Sequence, residues 1–499
     1  MSTFSPIVDA VREVGALHAC AAQIDGLARA APSAVGVDAG EVEAFLNNVE
    51  AAELELHSLM LHRAGHVAVE AWWWPYRAQY PHIMHSLAKS FTAAAIGLAL
   101  EEGRFALDDK IVSFFPEFLP PLVNDNLAAM TVKDLLTMRT GHAEETSGAS
   151  WRGIETSWIA EFFKIPVVHR PGTTFVYTSA ASYMLSAILT KATGETLHDY
   201  LKPRLLEPLG IIGEHWDIGP DGINPGGNGL TCKTADILKF GVLHAQKGIW
   251  NGKRLLPQAW IETVTRPHGG NDYGYHWVTD KGGSYRALGV FVQMVMVFPQ
   301  AGGTLALTAG IGGSHLILPL VHRHFPKLFR DAPFENAKAD AHLKARLATL
   351  SLARQLTSAP SQLPLKVSGV RYRVECNPLG VSEVRFDFSN KRSVFYLTDA
   401  EGEHVVFMGN DGWLEGQTDM PGRDLHHGYH LKGTRIVAGA NWLDATTLQM
   451  IWIFVNTAFR DTVICRFEDD GSHVTIDRSV NVNSSALSHP TLVGARARN

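Results

Sequence analysis

Cysteine is scarce in this chain. Cys20, Cys232, Cys376 and Cys465 are its only four in 499 residues, and they lie far apart. That spacing, with no C-x-x-C pair, argues against a disulfide framework and against a zinc site. No run of about 20 apolar residues exists, so no membrane-spanning helix is expected. The first fifteen residues carry Asp9, Arg12 and Glu13 and lack the apolar stretch of a secretory signal. A reduced, cytoplasmic setting is the resulting expectation. Neither sign of charge dominates: 44 Lys and Arg stand against 50 Asp and Glu, a net charge of -6. No basic surface for nucleic acid or for an anionic membrane follows from that balance. Internal repeats and low-complexity tracts are also missing.

What is present is an ordinary globular composition, 46% hydrophobic and 19% charged, long enough for two or three domains. Residues 1–45 read as a helical lead-in broken at Ala31-Pro32-Ser33. Two β-like runs between Ser58 and Trp74 flank Arg63-Ala64-Gly65-His66, a hairpin signal. A buried helix is expected over Ser90–Leu100, stopped at Gly103. Thr131 is placed to cap another helix, and a further helical run spans roughly Ala180–Leu206. A second hairpin is expected from Val292–Phe298 and Thr304–Thr308 around Pro299-Gln300-Ala301-Gly302-Gly303. Strands at both ends with helices between imply an α/β (α+β) domain over 46–330. In it, the two ends form an antiparallel sheet and a helical subdomain is inserted. Residues 331–362 read as a helical linker. From 363 to 499 short alternating strands recur, as in Val384, Phe386 and Phe388, with turns at regular intervals. They predict a separate antiparallel β-barrel.

The chemistry centres on Ser86-Leu87-Ala88-Lys89. Positions three apart share a helix face, so the Lys89 amine can reach the Ser86 hydroxyl. A serine needs an adjacent base to act as a nucleophile, and burial favours the neutral form of a lysine. The Ser86 N–H, free at a helix start, can help hold an oxyanion. Tyr177-Thr178-Ser179 is a second candidate: a tyrosine beside a lysine can exist partly as phenolate and shuttle protons, with Ser179 donating to the same network. No G-x-S-x-G elbow occurs. Gly226-Gly227-Asn228-Gly229 lacks the Lys-Ser/Thr of a phosphate loop and reads as a turn at the site rim. His82/His85 and His426-His427-Gly428-Tyr429-His430 read as loop and surface histidines rather than metal ligands. Trp72-Trp73-Trp74 reads as packing. Neither metal nor cofactor is expected.

Several motifs occur in one order. They are His85-Ser86-Leu87-Ala88-Lys89-Ser90-Phe91, Glu102–Asp109, Thr131–Met138, Tyr177-Thr178-Ser179, Thr193-Gly194-Glu195, Pro208-Leu209-Gly210, Thr234-Ala235-Asp236 and Tyr273–Trp277. With them the chain resembles, over roughly residues 50–325, the serine β-lactamase-related hydrolases of the class C and penicillin-binding type. That group includes esterases, D-aminopeptidases, D-amino-acid amidases and aminohexanoate-oligomer hydrolases. The resemblance implies a β-lactamase/transpeptidase-like sheet with an all-helical subdomain. It also implies Ser86 as acylated nucleophile, Lys89 as general base, Tyr177 as proton relay, and Ser179 in place of the second motif's Asn. The C-terminal part resembles the lipocalin-like barrels appended to such proteins.

The third motif departs from that pattern. A Lys-Thr-Gly or His-x-Gly triplet is expected just before the Val292 strand, where the chain reads Gly282–Val290 with neither. Arg286 is then the candidate for the positive charge, with backbone N–H groups near Ala287 and Gly289 for the oxyanion hole. Losing the triplet weakens the case for substrates with a carboxylate and favours a neutral amide, peptide or ester. A catalytically inactive binding module and an acyltransferase remain alternatives, and oligomers are possible.

Overall fold

The computed structural model describes residues 12–13, 25–146 and 148–497. The chain divides into two compact units, one of Ala22–Trp72 and Arg77–Leu350, the other of Met1–Ala21, Trp73–Tyr76 and Ser351–Asn499. No described helix is long and apolar enough to cross a membrane.

The first unit is built on a seven-stranded sheet. From one edge, its strands are Val278–Thr279, Tyr285–Gly289, Gln293–Phe298, Gly303–Ala309, Leu56–Arg63, His66–Trp72 and Ala28–Arg29. All neighbours are antiparallel except the last pair. Both expected hairpins form, and the C-terminal one pairs with the N-terminal one through Gly303–Ala309 and Leu56–Arg63. The helices lie between these two halves in sequence. The longest are Ala88–Glu101, Ser179–Thr193 and Thr234–Ala245. On the opposite face pack Ala39–Ala51 and Ser314–Leu328, where Phe45 and Phe298 both meet Phe325.

Local chemistry explains several boundaries. Thr131 caps Val132–Leu136 in a full capping box with Asp134. The helical run from Ala180 breaks at Gly194, whose φ of 79° ends the helix in a left-handed cap. Gly97 lets Trp260 in: an added Cβ would lie 2.2 Å from the indole nitrogen, which donates to the Ala93 carbonyl at 3.0 Å.

The second unit contains a closed barrel. Thr434–Trp442, Gly402–Asn410, Arg392–Asp399, Glu383–Phe388, Arg371–Val374, Leu492–Arg496, His473–Val480, Arg460–Phe467 and Thr447–Phe454 pair in that order, and the last pairs back to the first. Closure leaves none of these nine strands as an open edge. The alternation at Val384 and Phe386 is inward, as the pattern predicts.

Three expectations need correcting. Among the described residues, the lead-in is not simply helical. Arg12–Glu13 pairs with Leu414–Thr418, Ala28–Arg29 is a strand, and the first α-helix is Ala39–Ala51. The rest of 1–24 lies outside the described residues. The linker helix ends at Leu347. The barrel unit starts at Ser351 rather than 363 and takes in Trp73–Tyr76, where the Tyr76 hydroxyl donates to the Thr457 carbonyl at 3.1 Å.

Candidate active site

Ser86 sits in a tight 3-10 turn, His85–Leu87, that runs directly into the Ala88–Glu101 helix. The Ala-rich sequence suits a helix buried on nearly every side, and Lys89 in its first turn is only 2% exposed. The Lys89 Nζ lies 3.0 Å from Ser86 Oγ, 3.1 Å from Ser179 Oγ and 2.9 Å from the Gly227 carbonyl. Among the described residues no carboxylate forms an ion pair with it. Desolvation is therefore the main influence, and Lys89 is pushed down to about 7, with Glu145 opposing and Arg152 reinforcing the shift.

Tyr177 and Ser179 flank the start of the Ser179–Thr193 helix, and the Thr146 carbonyl accepts the Ser179 N–H at 2.8 Å. Nζ lies 4.9 Å from the centroid of the Tyr177 ring. Burial pushes the Tyr177 phenol up to about 12, and a hydrogen bond with Ser86 only partly offsets this. The expected partial phenolate is thus corrected. In the same low-dielectric site burial favours the neutral form of both groups, amine and phenol.

Gly227 carries a role that sequence reading assigned only as a rim turn. A Cβ on it would come within 3.2–3.3 Å of Ser182, Ser179 and Lys89 Nζ, and one on Gly226 would lie 2.6 Å from the Ser182 carbonyl. The glycine run was the available signal: it lets a backbone carbonyl approach the amine closely.

His276 lies in the Tyr273–Trp277 motif, but sequence reading gave it no role. It is 3% exposed, and its Nε2 lies 3.1 Å from Ser182 Oγ and its Nδ1 3.3 Å from the Tyr273 hydroxyl. Its carbonyl accepts from Ser90 Oγ at 2.6 Å, and Tyr273 packs edge-on against Tyr177. Desolvation, with Lys89 adding to it, lowers His276 to about 3, so the ring stays neutral. It links the helices of Lys89 and Ser179 by hydrogen bonds.

The third-motif residues divide by strand alternation. Gly289 abuts the His85–Leu87 turn: a Cβ there would lie 2.3 Å from the Met84 carbonyl and 3.2 Å from His85 Cβ. Ala287, two residues earlier, shares that face. Arg286 is on the other one. It pairs with Asp280, which also lies 3.7 Å from His322 on the Ser314–Leu328 helix. Sequence alone left this register open, and the structure does not bring Arg286 together with Ser86. Gln293 is buried too, its amide bridging the Ala309 N–H and carbonyl.

Backbone strain gathers around the same spot. His85, His276, Phe291 and Val292 are non-glycine residues with φ between 49° and 71°, and Phe291 packs edge-on against His85. Such residues persist only where surrounding packing enforces them, commonly at functional sites.

The Beta-lactamase family model matches residues 57–314, just over half of the chain. The chain belongs to the Beta-lactamase family. A lovastatin esterase from Penicillium rubens is 27% identical over 25% of this chain and 37% of its own length. A 6-aminohexanoate-dimer hydrolase from Paenarthrobacter ureafaciens is 24% identical over 37% of this chain and 50% of its own. The chain thus spans half or less of the length of these curated relatives. A Bacillus anthracis structure provisionally assigned as a 6-aminohexanoate-dimer hydrolase has the same fold. Its TM-score is 0.51 at 18% identity, covering 64% of this chain and 88% of that one. The family match contains Ser86, Lys89, Tyr177, Ser179 and the Tyr285–Gly289 strand, and ends before the barrel.

Proposed function

We propose that this Beta-lactamase family chain is a serine hydrolase that forms an acyl-enzyme at Ser86 and acts on a small amide, peptide or ester. The observation that carries this reading is the buried Lys89 amine, without a carboxylate partner among the described residues, 3.0 Å from Ser86 Oγ and with its pKa lowered to about 7. As a free amine, Lys89 has two N–H bonds for Ser179 and Gly227 and a lone pair for the Ser86 proton.

Ser86 Oγ attacks the substrate carbonyl and its proton passes to Lys89 Nζ. The oxyanion is held by the Ser86 N–H and an N–H of the Tyr285–Gly289 strand, each worth roughly 3–4 kcal/mol to the transition state. The proton then leaves Lys89 for the departing amine or alcohol through the Tyr177 phenol, which stays neutral in that role. Water repeats the cycle in reverse on the acyl-enzyme and restores free Ser86. Relatives named as an esterase and as a 6-aminohexanoate-dimer hydrolase support both leaving-group types. The pairing of Arg286 with Asp280 supports a substrate without a carboxylate at that strand.

Intact-protein mass spectrometry after a fluorophosphonate probe tests the reading. The wild type is expected to gain one adduct and Ser86→Ala none. An adduct that survives in Ser86→Ala refutes the assignment.

A further inference from the structure

The barrel holds a second site. Part of its interior is filled by aromatic rings packed against one another: Phe467 meets Tyr372, Phe386 and Trp442 at centroid distances of 5.2–6.1 Å. The run continues through Phe395, 5.2 Å from Phe386, to Trp452 at 5.8 Å from Phe395. Packing stops there. Phe395 and Trp452 border a cavity of about 260 Å³, whose other walls include Leu397, Val463, Ile476 and Leu492. Engineered core cavities of about 150 Å³ stay dry and take up benzene. A barrel of eight strands has an interior that either fills with side chains or holds one small ligand. This nine-stranded barrel does both in different parts of its interior.

Polar and charged side chains line the rest of the cavity, Glu401, Asp419, Arg423 and Asp424 among them. Arg478 lines the cavity, but its charge is committed: Nε and one terminal nitrogen bond Asp461 at 2.8 and 2.6 Å, and the other bonds the Pro421 carbonyl. His426 closes the group from the far side of Asp461 at 2.9 Å. Lys432 is paired with Glu401 at 2.8 Å. His404 differs. It is 5% exposed and also lines the cavity, and its Nε2 meets Asp399 at 3.0 Å. Its Nδ1 is buried without a hydrogen-bond partner, and Asp419 Oδ1 is 3.5 Å away. A buried polar atom without a partner is costly.

We propose that the barrel binds one small, uncharged, mainly aromatic molecule of bicyclic size, carrying a single hydroxyl or N–H-type group that pairs with His404 Nδ1. The apolar walls and the Phe395–Trp452 pair hold its ring system. Arg478 and Lys432 are each paired with a carboxylate, and the lining sets Glu401, Asp419 and Asp424 against Arg423, Lys432 and Arg478, so it carries no excess positive charge that would select an anion. This site is independent of acylation at Ser86.

The test uses the full-length protein. N-phenyl-1-naphthylamine, an uncharged fluorophore, is titrated alone and then in competition with 2-naphthol. Saturable binding at one equivalent is expected, displaced by 2-naphthol, and unchanged after the active site is blocked with fluorophosphonate. Val463→Trp, which fills the cavity, should weaken the probe at least tenfold while hydrolase activity persists. Leu397→Phe serves the same purpose if Val463→Trp fails to fold. His404→Phe should weaken 2-naphthol more than naphthalene. Three results overturn the proposal: no saturable binding, binding lost on blocking Ser86, or binding untouched by a folded cavity-filling variant.

Discussion

Each unit buries a cation, and the two are treated in opposite ways. In the first unit, Lys89 is surrounded by hydroxyls, a carbonyl and an aromatic ring, with no carboxylate paired to it among the described residues. In the barrel, Arg478 is held by Asp461, which is itself shared with His426. Desolvation alone would raise the Asp461 carboxyl, but the charges and hydrogen bonds of His426 and Arg478 outweigh it and hold the group below the usual carboxylate range. A buried cation without its counter-ion loses its proton near neutrality and becomes a base. One with its counter-ion stays charged and inert. Lysine suits the first task because its pKa is movable, and arginine the second because its pKa is not.

The most severe break in that contrast is chemical. Ser86→Ala is expected to remove turnover entirely, and Lys89→Met to lower kcat at least 100-fold, both measured with an ester substrate. Lys89→Met retaining wild-type kcat would make the lysine a structural group. Tyr177→Phe should cost about 10²-fold or more in kcat by removing the relay, with a smaller change in KM.

Stability should move in opposite directions at the two sites. Asp461→Asn leaves Arg478 buried and unpaired, a loss of about 3–5 kcal/mol, read as faster hydrogen exchange in the barrel strands. Lys89→Met removes a desolvated amine and should slow exchange in the Ala88–Glu101 helix at pH 7. Equal loosening in both variants would erase the distinction.

The pH profile sharpens it further. Because the Lys89 pKa is lowered from 10.5 to about 7, log kcat/KM should rise with unit slope below pH 7 and level off above it. The unfolded chain keeps that proton up to about 10.5, so between pH 7 and 10.5 it binds more protons than the native state. Stability from this group therefore rises with pH across that window. A limb centred near 10 would mean that Lys89 keeps its proton and is not the base. Smallest is Thr131→Ala, which removes the capping box at a cost of about 1 kcal/mol and should leave kcat unchanged.

Much of this molecule was legible in its residues. The Ser86–Lys89 spacing, the two hairpins and the Thr131 cap depend on neighbours within a few positions, where periodicity and turn chemistry act directly. The alternation at Val384 and Phe386 marked inward positions for the same reason. The third motif was less legible, because a register slip of one residue exchanges the faces of a strand. Gly289 faces the His85–Leu87 turn while Arg286 faces away. His276 and Gly227 reach the site from positions about 190 and 140 residues away from the serine, and although a motif and a glycine run mark them locally, neither pattern says that they meet Lys89 and its neighbours.

The amino-acid order by itself determined which groups this chain has available: a serine and a lysine one helical turn apart, an alanine-rich helix to carry them, and alternating strands that can close on themselves. Tertiary structure decided their protonation and their reach. Only packing removes water from Lys89 while withholding a carboxylate, supplies one to Arg478, and leaves part of the barrel interior unfilled. Those outcomes depend on what lies across space from each side chain, which spacing along the chain does not specify.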